Sequence, residues 1–460
     1  MADVHNDGSY SRELGVASYR KRRRRSRVFR CVVALVLIAI IGGASYMFGK
    51  QFIDPDSLPV DLPGVEKSAP AENEITEASL PTVQPVTLSL LAAGDVIPSG
   101  AVAESGRQES GAYDFSHLFA HIKKEISLFD LRIVNQEAVM AGERLGFGGD
   151  YPLNAPQDLG RAENAAGFNV VLHATDHAFD AQAEGIHNEL TWWHDNFPQM
   201  AVLGIADPQP KNNPTLSDYV NNVYIFEKDG FKIAVLNHTW LEDEQNKNVV
   251  SLLSDNKIAS DVAKAREQGA EMIIACPHWG DENNSELNSD QEHFAKVYAE
   301  QGVDLIIGTH PRVLQGVEVL ESANGHKTVC FYSLGCLISP HDDNNLLGGL
   351  AEVELSRDDH GACTVSSATL KPVITHRGNG DEYCTYLLSA YTEDIAMTGW
   401  DAWIPLDDWN HKCEEALGSG YDSNKCELKV DVTKATPGSS SSDKSADEAE
   451  VTEEEEYGYI

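Results

Sequence analysis

Side chains that bind metals or carry protons recur in this chain directly after short apolar runs. Leu88–Ala92 leads into Gly94-Asp95, and Leu131–Val134 into Asn135 and Glu137. Val170–Leu172 is followed by Thr175-Asp176-His177. Met272–Ala275 leads into Cys276-Pro277-His278, and Leu305–Ile307 into Gly308-Thr309-His310. Carboxylate, amide and imidazole together suit a borderline or hard divalent metal such as manganese, zinc or iron. A metal so held activates water and neutralises charge on a phosphoryl or acyl centre. Asp95, Asn135, Glu137, Asp176, His278 and His310 are therefore candidate ligands, and His177 a candidate proton donor beside them. Each has a structural alternative. Gly94-Asp95 is common turn chemistry, and Asp176 could cap a following helix. Loop histidines such as His173, His187, His194, His238 and His341 are expected to be solvated, although His238 follows a strand-like run together with Asn237 and stands apart from the others. The case for a site rests on coincidence at strand ends, where α/β proteins gather their ligands.

The elements that position these residues alternate along the chain. Strand-like runs are expected at Leu88–Ala92, Leu131–Val134, Val170–Leu172, Val223–Phe226, Ile233–Leu236, Met272–Ala275, Leu305–Ile307 and Val329–Tyr332. Helix-like stretches fall at Phe115–Ile126, Pro156–Ala166, Glu184–Asp195, Lys257–Gln268 and Asp290–Gln301. Gly167, Gly269 and Gly302 stand where a helix C-terminus hands over to the next strand. Asp229-Gly230 lies between two strand-like runs and signals a hairpin. The expectation is an α/β domain with mixed sheets over residues 86–375.

The two ends read differently. Eight basic residues from Arg20 to Arg30 precede Cys31–Gly49, 19 residues without a charge. That is close to the ~20 a helix needs to cross a bilayer. Basic residues on its N-terminal side predict an inside N-terminus and an extracellular body; a cleaved signal peptide is the alternative. Residues 1–30 form the cytoplasmic basic segment, 31–49 the anchor and 50–85 a Pro-, Glu- and Ser-containing linker. Residues 1–30 carry nine Lys/Arg and three Asp/Glu, so the net −37 of the chain leaves −43 for the remainder. Such a surface repels nucleic acid. Residues 376–430 form a C-terminal extension with Trp400, Trp403 and Trp409, expected to pack onto the domain. Residues 431–460 hold nine acidic and two basic residues and read as a disordered tail. No CxxC occurs. Cys363, Cys384, Cys413 and Cys426 could pair in an oxidising exterior, with Cys413–Cys426 closing a short loop.

From Leu91 to Ile338 the motifs resemble, in order, those of the CapA or poly-γ-glutamate capsule-synthesis family. Its Gly-Asp opening matches Gly94-Asp95, and its Asn-x-Glu element matches Asn135-Gln136-Glu137. An Asn-Asn-His-x-x-x-Asp element falls on Thr175–Asp180, with Asp180 one place nearer than that spelling, and His-Trp-Gly-x-Glu falls on His278–Glu282. Gly-x-His-Pro-His falls on Gly308–Arg312, and Tyr-Ser-Leu-Gly-Asn on Tyr332–Cys336. The resemblance implies a four-layer α-β-β-α sandwich of the metallophosphatase type. It also implies a role in capsule or surface-polymer synthesis at the cell membrane, with membrane subunits of a synthase and export complex as partners. The polymer would be anionic or peptidic. Three positions depart from the pattern: Asp176 stands for Asn, Arg312 for the second His and Cys336 for Asn. A guanidinium has no lone pair, so Arg312 cannot ligate a metal, although it can clasp a phosphate or carboxylate. One tightly held metal is expected rather than two, with Arg312 in part of the vacated position. A metal-dependent phosphoester or amide hydrolase and a non-catalytic polymer-binding scaffold are the alternatives.

Overall fold

The computed structural model describes residues 83–148, 152–208, 223–240, 246, 248–340, 344–378, 382–399 and 404–437. The expected basic segment, the apolar span, all but the last three residues of the linker, and residues 438–460 lie outside the described residues. So do His341, Trp400 and Trp403. Among the described residues no helix is long and apolar enough to cross a membrane.

Strand β1 (Val86–Val96) is apolar on both faces because both are covered. Leu88, Leu90 and Ala92 belong to one core, whereas Leu91 and Ala93 belong to another. Around β1 grows a ten-stranded sheet. On one side β2 (Leu131–Gln136), β3 (Val170–Leu172) and β4 (Ala201–Leu203) follow in parallel. On the other side β12 (Leu347–Arg357) and β13 (Cys363–Gly378) are antiparallel. A six-stranded sheet holds β5 (Val223–Lys228), β6 (Phe231–Thr239), β7 (Met272–His278), β8 (Leu305–Ile307), β10 (Lys327–Phe331) and β9 (Val317–Glu321), in that order. Both sheets are mixed, as the pattern predicts.

The two sheets share a core in which Leu88, Leu90 and Ile133 meet Ile233, Val235 and Ile274. Full burial of each such side chain is worth about 2 kcal/mol. Helices Asp158–Ala166 and Gln182–Asn196 cover the outer face of the larger sheet, burying Leu159, Ile186 and Trp193. Helices Asp255–Glu267 and Ser289–Glu300 cover the smaller one with Ile258, Val262 and Tyr298. The layer order is helix, sheet, sheet, helix.

Local signals explain the boundaries. Asn288 and Gln291 close a reciprocal capping box at the start of Ser289–Glu300. Gly167, Gly269 and Gly302 have φ of 111°, 86° and 76°, as a left-handed helix terminus requires. Asp229 and Gly230 turn at φ of 51° and 73° between β5 and β6. The expected helix Phe115–Ile126 is instead a 3-10 turn at Ser116–Phe119 and a short helix at Lys123–Ile126. Its Phe115, Leu118, Phe119, Ile122 and Ile126 are nevertheless all buried on the core side.

Strand β13 runs through residue 375, and β14 (Glu382–Leu387) pairs with its end. The short strands β15 (Tyr421–Asp422) and β16 (Glu427–Lys429) extend the larger sheet beside it. Helix Leu406–Leu417 places Trp409, Cys413 and Leu417 in the inter-sheet core. All seven described cysteines are free thiols. The pairing considered for Cys413 and Cys426 is not made; both thiols lie against the Tyr421 hydroxyl.

Candidate metal centre

The parallel strands of both sheets end at one edge, and their last residues meet there. Asp95 pairs with Asn135 across β1 and β2. Gly94 makes this possible, because a Cβ at that position would lie 1.9 Å from the Gly335 carbonyl oxygen. The Asp95 amide donates to that same oxygen at 2.9 Å. Asn135 Nδ2 donates to Asp95 Oδ1 (2.8 Å) and Glu137 Oε2 (3.1 Å). The shared side follows from their spacing of two in extended chain. In the smaller sheet β7 ends in His278, which bridges to Thr309 beyond β8. Thr309 Oγ1 lies 3.0 Å from His278 Nδ1 and sets the ring, leaving Nε2 3.0 Å from Asp176 Oδ1. His310 brings Nδ1 to 3.1 Å from His278 Nε2 and 3.5 Å from Asp176 Oδ1.

Donor atoms of Glu137, Asp176, His278 and His310 thus lie within 4.8 Å of one another. A second group, Asp176, His177 and Glu282, meets the same bound, so Asp176 is common to both. Asp95 stands at the edge of the first group, where Oδ2 accepts the His310 amide at 3.3 Å. Asn135 Oδ1 and Glu137 Oε1 are buried with no hydrogen-bond partner. Buried acceptors without hydrogen-bond partners are costly, and a bound cation would satisfy both. The donor set therefore fits a divalent metal.

The charges follow from burial and contact. Burial pushes the His278 imidazole down to about 3 against the pull of Asp176, so it is neutral. Burial raises the Asp95 carboxyl to about 6 despite His310 and Arg312. Burial, with repulsion from Asp95 and Asp176, carries Glu137 well above the usual carboxylate range. Burial works against ionisation of Asp176 too, but hydrogen bonds from His278 and His310 hold it well below that range. Burial likewise disfavours a charged His310, but Asp176 and Asp95 raise it overall.

The structure brings all six expected ligands to this edge. Asp176 does not cap the following helix, which begins at Gln182 after Ala181. His177 holds Asp180 Oδ2 through Nδ1 at 2.9 Å, with Nε2 3.2 Å from Arg312 Nη2. A guanidinium only donates, so Nε2 accepts and the proton sits on Nδ1, toward Asp180. In this arrangement His177 is an acceptor on the side of Arg312.

Two histidines expected to be solvated are not. His173 is fully buried 2.9 Å from Glu189 Oε2. His238 is fully buried between Tyr298 (2.7 Å) and Asp261 (3.1 Å). His173 follows β3 and His238 lies within β6, and the opposing layers cover both strands. His187 and His194 are partly exposed, 3.0 Å from Asp207 and Asp195. Residues that sequence reasoning passed over include Glu282, which pairs with Arg312 at 2.9 Å. Asn237 is another: its Oδ1 accepts the His173 and Ala174 amides and its Nδ2 donates to the Cys276 carbonyl. It thereby ties the two sheets together beneath the centre. Its position directly after an apolar run was the available signal.

Fold and site define the class: a two-sheet mixed α/β protein with a carboxylate–histidine cluster at its strand ends. Residues 89–341, more than half of the chain, match the family model described as bacterial capsule synthesis protein PGA_cap. The chain belongs to that family. It is 28% identical over 172 residues to the PGA biosynthesis protein CapA of Bacillus subtilis (strain 168), covering 36% of this chain and 42% of that one. Its identity to the capsule biosynthesis protein CapA of Bacillus anthracis is 26% over 192 residues, 40% of this chain and 43% of that one. The match thus spans less than half the length of either curated relative. Among solved structures it is similar to the Haemophilus influenzae NAD nucleotidase (15% identity, TM-score 0.41, covering 72% of this chain and 56% of that one). It is also similar to the calcineurin-like phosphoesterase YfkN from Bacillus subtilis (14% identity, TM-score 0.36, covering 72% and 97%).

Proposed function

We propose that this protein is a membrane-anchored, exported component of capsule or cell-surface polymer synthesis, acting on an anionic or peptidic polymer of the poly-γ-glutamate kind. Its two-sheet domain carries a divalent-metal centre formed by Asp95, Asn135, Glu137, Asp176, His278 and His310. The observation that carries the metal centre is the convergence of donor atoms from four residues, with the Asn135 and Glu137 oxygens buried and without hydrogen-bond partners. Manganese, zinc or iron suits this donor set. When bound, such a metal supplies positive charge for a phosphoryl or acyl oxygen and a more acidic water. The chain's own residues supply orientation: Thr309 sets the His278 ring, Asp180 sets His177, and Arg312 offers a fixed cation to an anionic group. Anchoring rests on the uncharged span 31–49 behind its arginine run, and membrane subunits of a synthase and export complex are the proposed partners.

Metal analysis of the purified chain tests the centre, and hydrolysis of a generic phosphodiester with added manganese tests catalysis. Metal and activity present in the native chain and lost in His278→Ala support a hydrolase; bound metal without hydrolysis favours a role in polymer handling. A chain free of metal, whose deletion still abolishes surface polymer, would select a non-catalytic scaffold. That second reading draws on Arg312, a cation among the donors. Removing residues 31–49 should move the protein from the membrane to the soluble fraction. Retention in the membrane would refute the anchor.

A further inference from the structure

The second donor group already contains a cation. Arg312 Nη2 lies 2.9 Å from Glu282 Oε1, 3.2 Å from His177 Nε2 and 3.6 Å from Glu137 Oε1. Two of these three partners, Glu282 and His177, are members of the group that shares Asp176 with the first. A guanidinium and a metal ion compete for the single lone pair of His177 Nε2, and both cannot use it at once. The arginine is also fixed in place. Its side chain is 10% exposed, and its backbone is held in the left-handed region at φ 62°. The carbonyl of Arg312 accepts Asn345 Nδ2 at 3.0 Å and the Cys336 thiol at 3.5 Å. Asn345 itself is anchored to Asn283 Oδ1 at 2.8 Å, next to Glu282. Swinging the guanidinium away would leave Glu282 and the buried Glu137 without their counter-charge.

We infer that the Arg312 guanidinium is the resident cation of the Asp176–His177–Glu282 group, so that the centre takes one divalent ion, at Glu137, Asp176, His278 and His310. The inference rests on the proposed metal centre and specifies its stoichiometry. Because an arginine stays charged at any working pH, half of the binuclear arrangement becomes a permanent fixture that no chelator removes. Glu282 is then a partner of Arg312 and not a metal ligand.

The test is metal content per chain after reconstitution of the full chain with manganese, together with the manganese electron paramagnetic resonance spectrum. The native protein and Arg312→Lys should bind one ion with a mononuclear spectrum. Arg312→His should bind two, with the spectrum of a coupled pair. Two ions in the native chain, or one ion in a folded Arg312→His variant, overturns the inference. Glu282→Gln gives an independent reading that does not depend on folding of the Arg312 variants. It should retain one ion, whereas a fall toward zero would make Glu282 a ligand and sink the proposal. His278→Ala separates the two levels: it should lose the single ion of the native chain. A native chain that binds none overturns both the stoichiometry and the metal centre.

Discussion

At the scale of single residues, the centre depends on a few hydrogen bonds that choose which lone pairs face inward. Thr309 does so for His278 by occupying Nδ1 at 3.0 Å. Thr309→Val should therefore weaken metal affinity about 10–100-fold while leaving the donor set intact. Equilibrium dialysis checks this, and unchanged affinity would show that the ring is set by packing alone. Behind the centre, Glu189 accepts from His173, Gln136, the Met140 amide and Trp193. His173 is raised: burial opposes its charge, but Glu189 outweighs burial. Glu189 is lowered: burial opposes ionisation, but His173 and the amide donors outweigh it. Removing one partner of such a buried pair costs about 3 kcal/mol. Glu189→Gln should show that loss in denaturant unfolding. The pH dependence has a definite sign. The His173 contribution is fully present below pH 6.5 and is lost as pH rises through its higher folded value. The Glu189 contribution is present above pH 4.5 and is lost as pH falls through its lower folded value. Both losses should be absent in the variant.

At the scale of elements, glycine decides whether strands can approach. Gly94 lets β1 lie against the loop before β11 (Cys336–Ile338), with a Cβ position only 1.9 Å from backbone oxygen. That overlap is with main chain and no rotamer relieves it. Gly94→Ala should cost about 3 kcal/mol and lower metal content with it, since Asp95 is the next residue. A thermal melt matching the native chain would contradict this account. Periodicity and glycine placement made most elements legible: β3 and β8 fall where the apolar runs are, and the three glycine helix ends lie at positive φ. The strands after residue 338 were not legible. β13 alternates exposed and buried positions through a Ser- and Thr-rich segment, and its value lies in pairing with β12 and β14.

At the scale of the whole molecule, the C-terminal residues join the two sheets. β16 pairs with β13 of the larger sheet, and a few residues on, Thr436 exchanges two 2.9 Å hydrogen bonds with Val319 of β9 in the smaller one. A chain ended after Gly378 should lose β14, β15, β16 and the Trp409 anchor together. It should then unfold at lower denaturant concentration and be cleaved faster by protease; equal resistance would make those residues an independent appendage. By itself the sequence determined the α/β alternation, the mixed sheets, the motif order and the residues at the strand ends, because strand and helix periods and glycine turns are local properties. Only the tertiary structure decided which lone pairs converge, that Arg312 turns inward onto Glu282, and that His173 and His238 are buried. Those outcomes depend on the register of two stacked sheets across contacts such as His278–Asp176 and His310–Asp95, 102 and 215 residues apart in sequence. No local pattern encodes such a distance, and only packing of one sheet on the other fixes it.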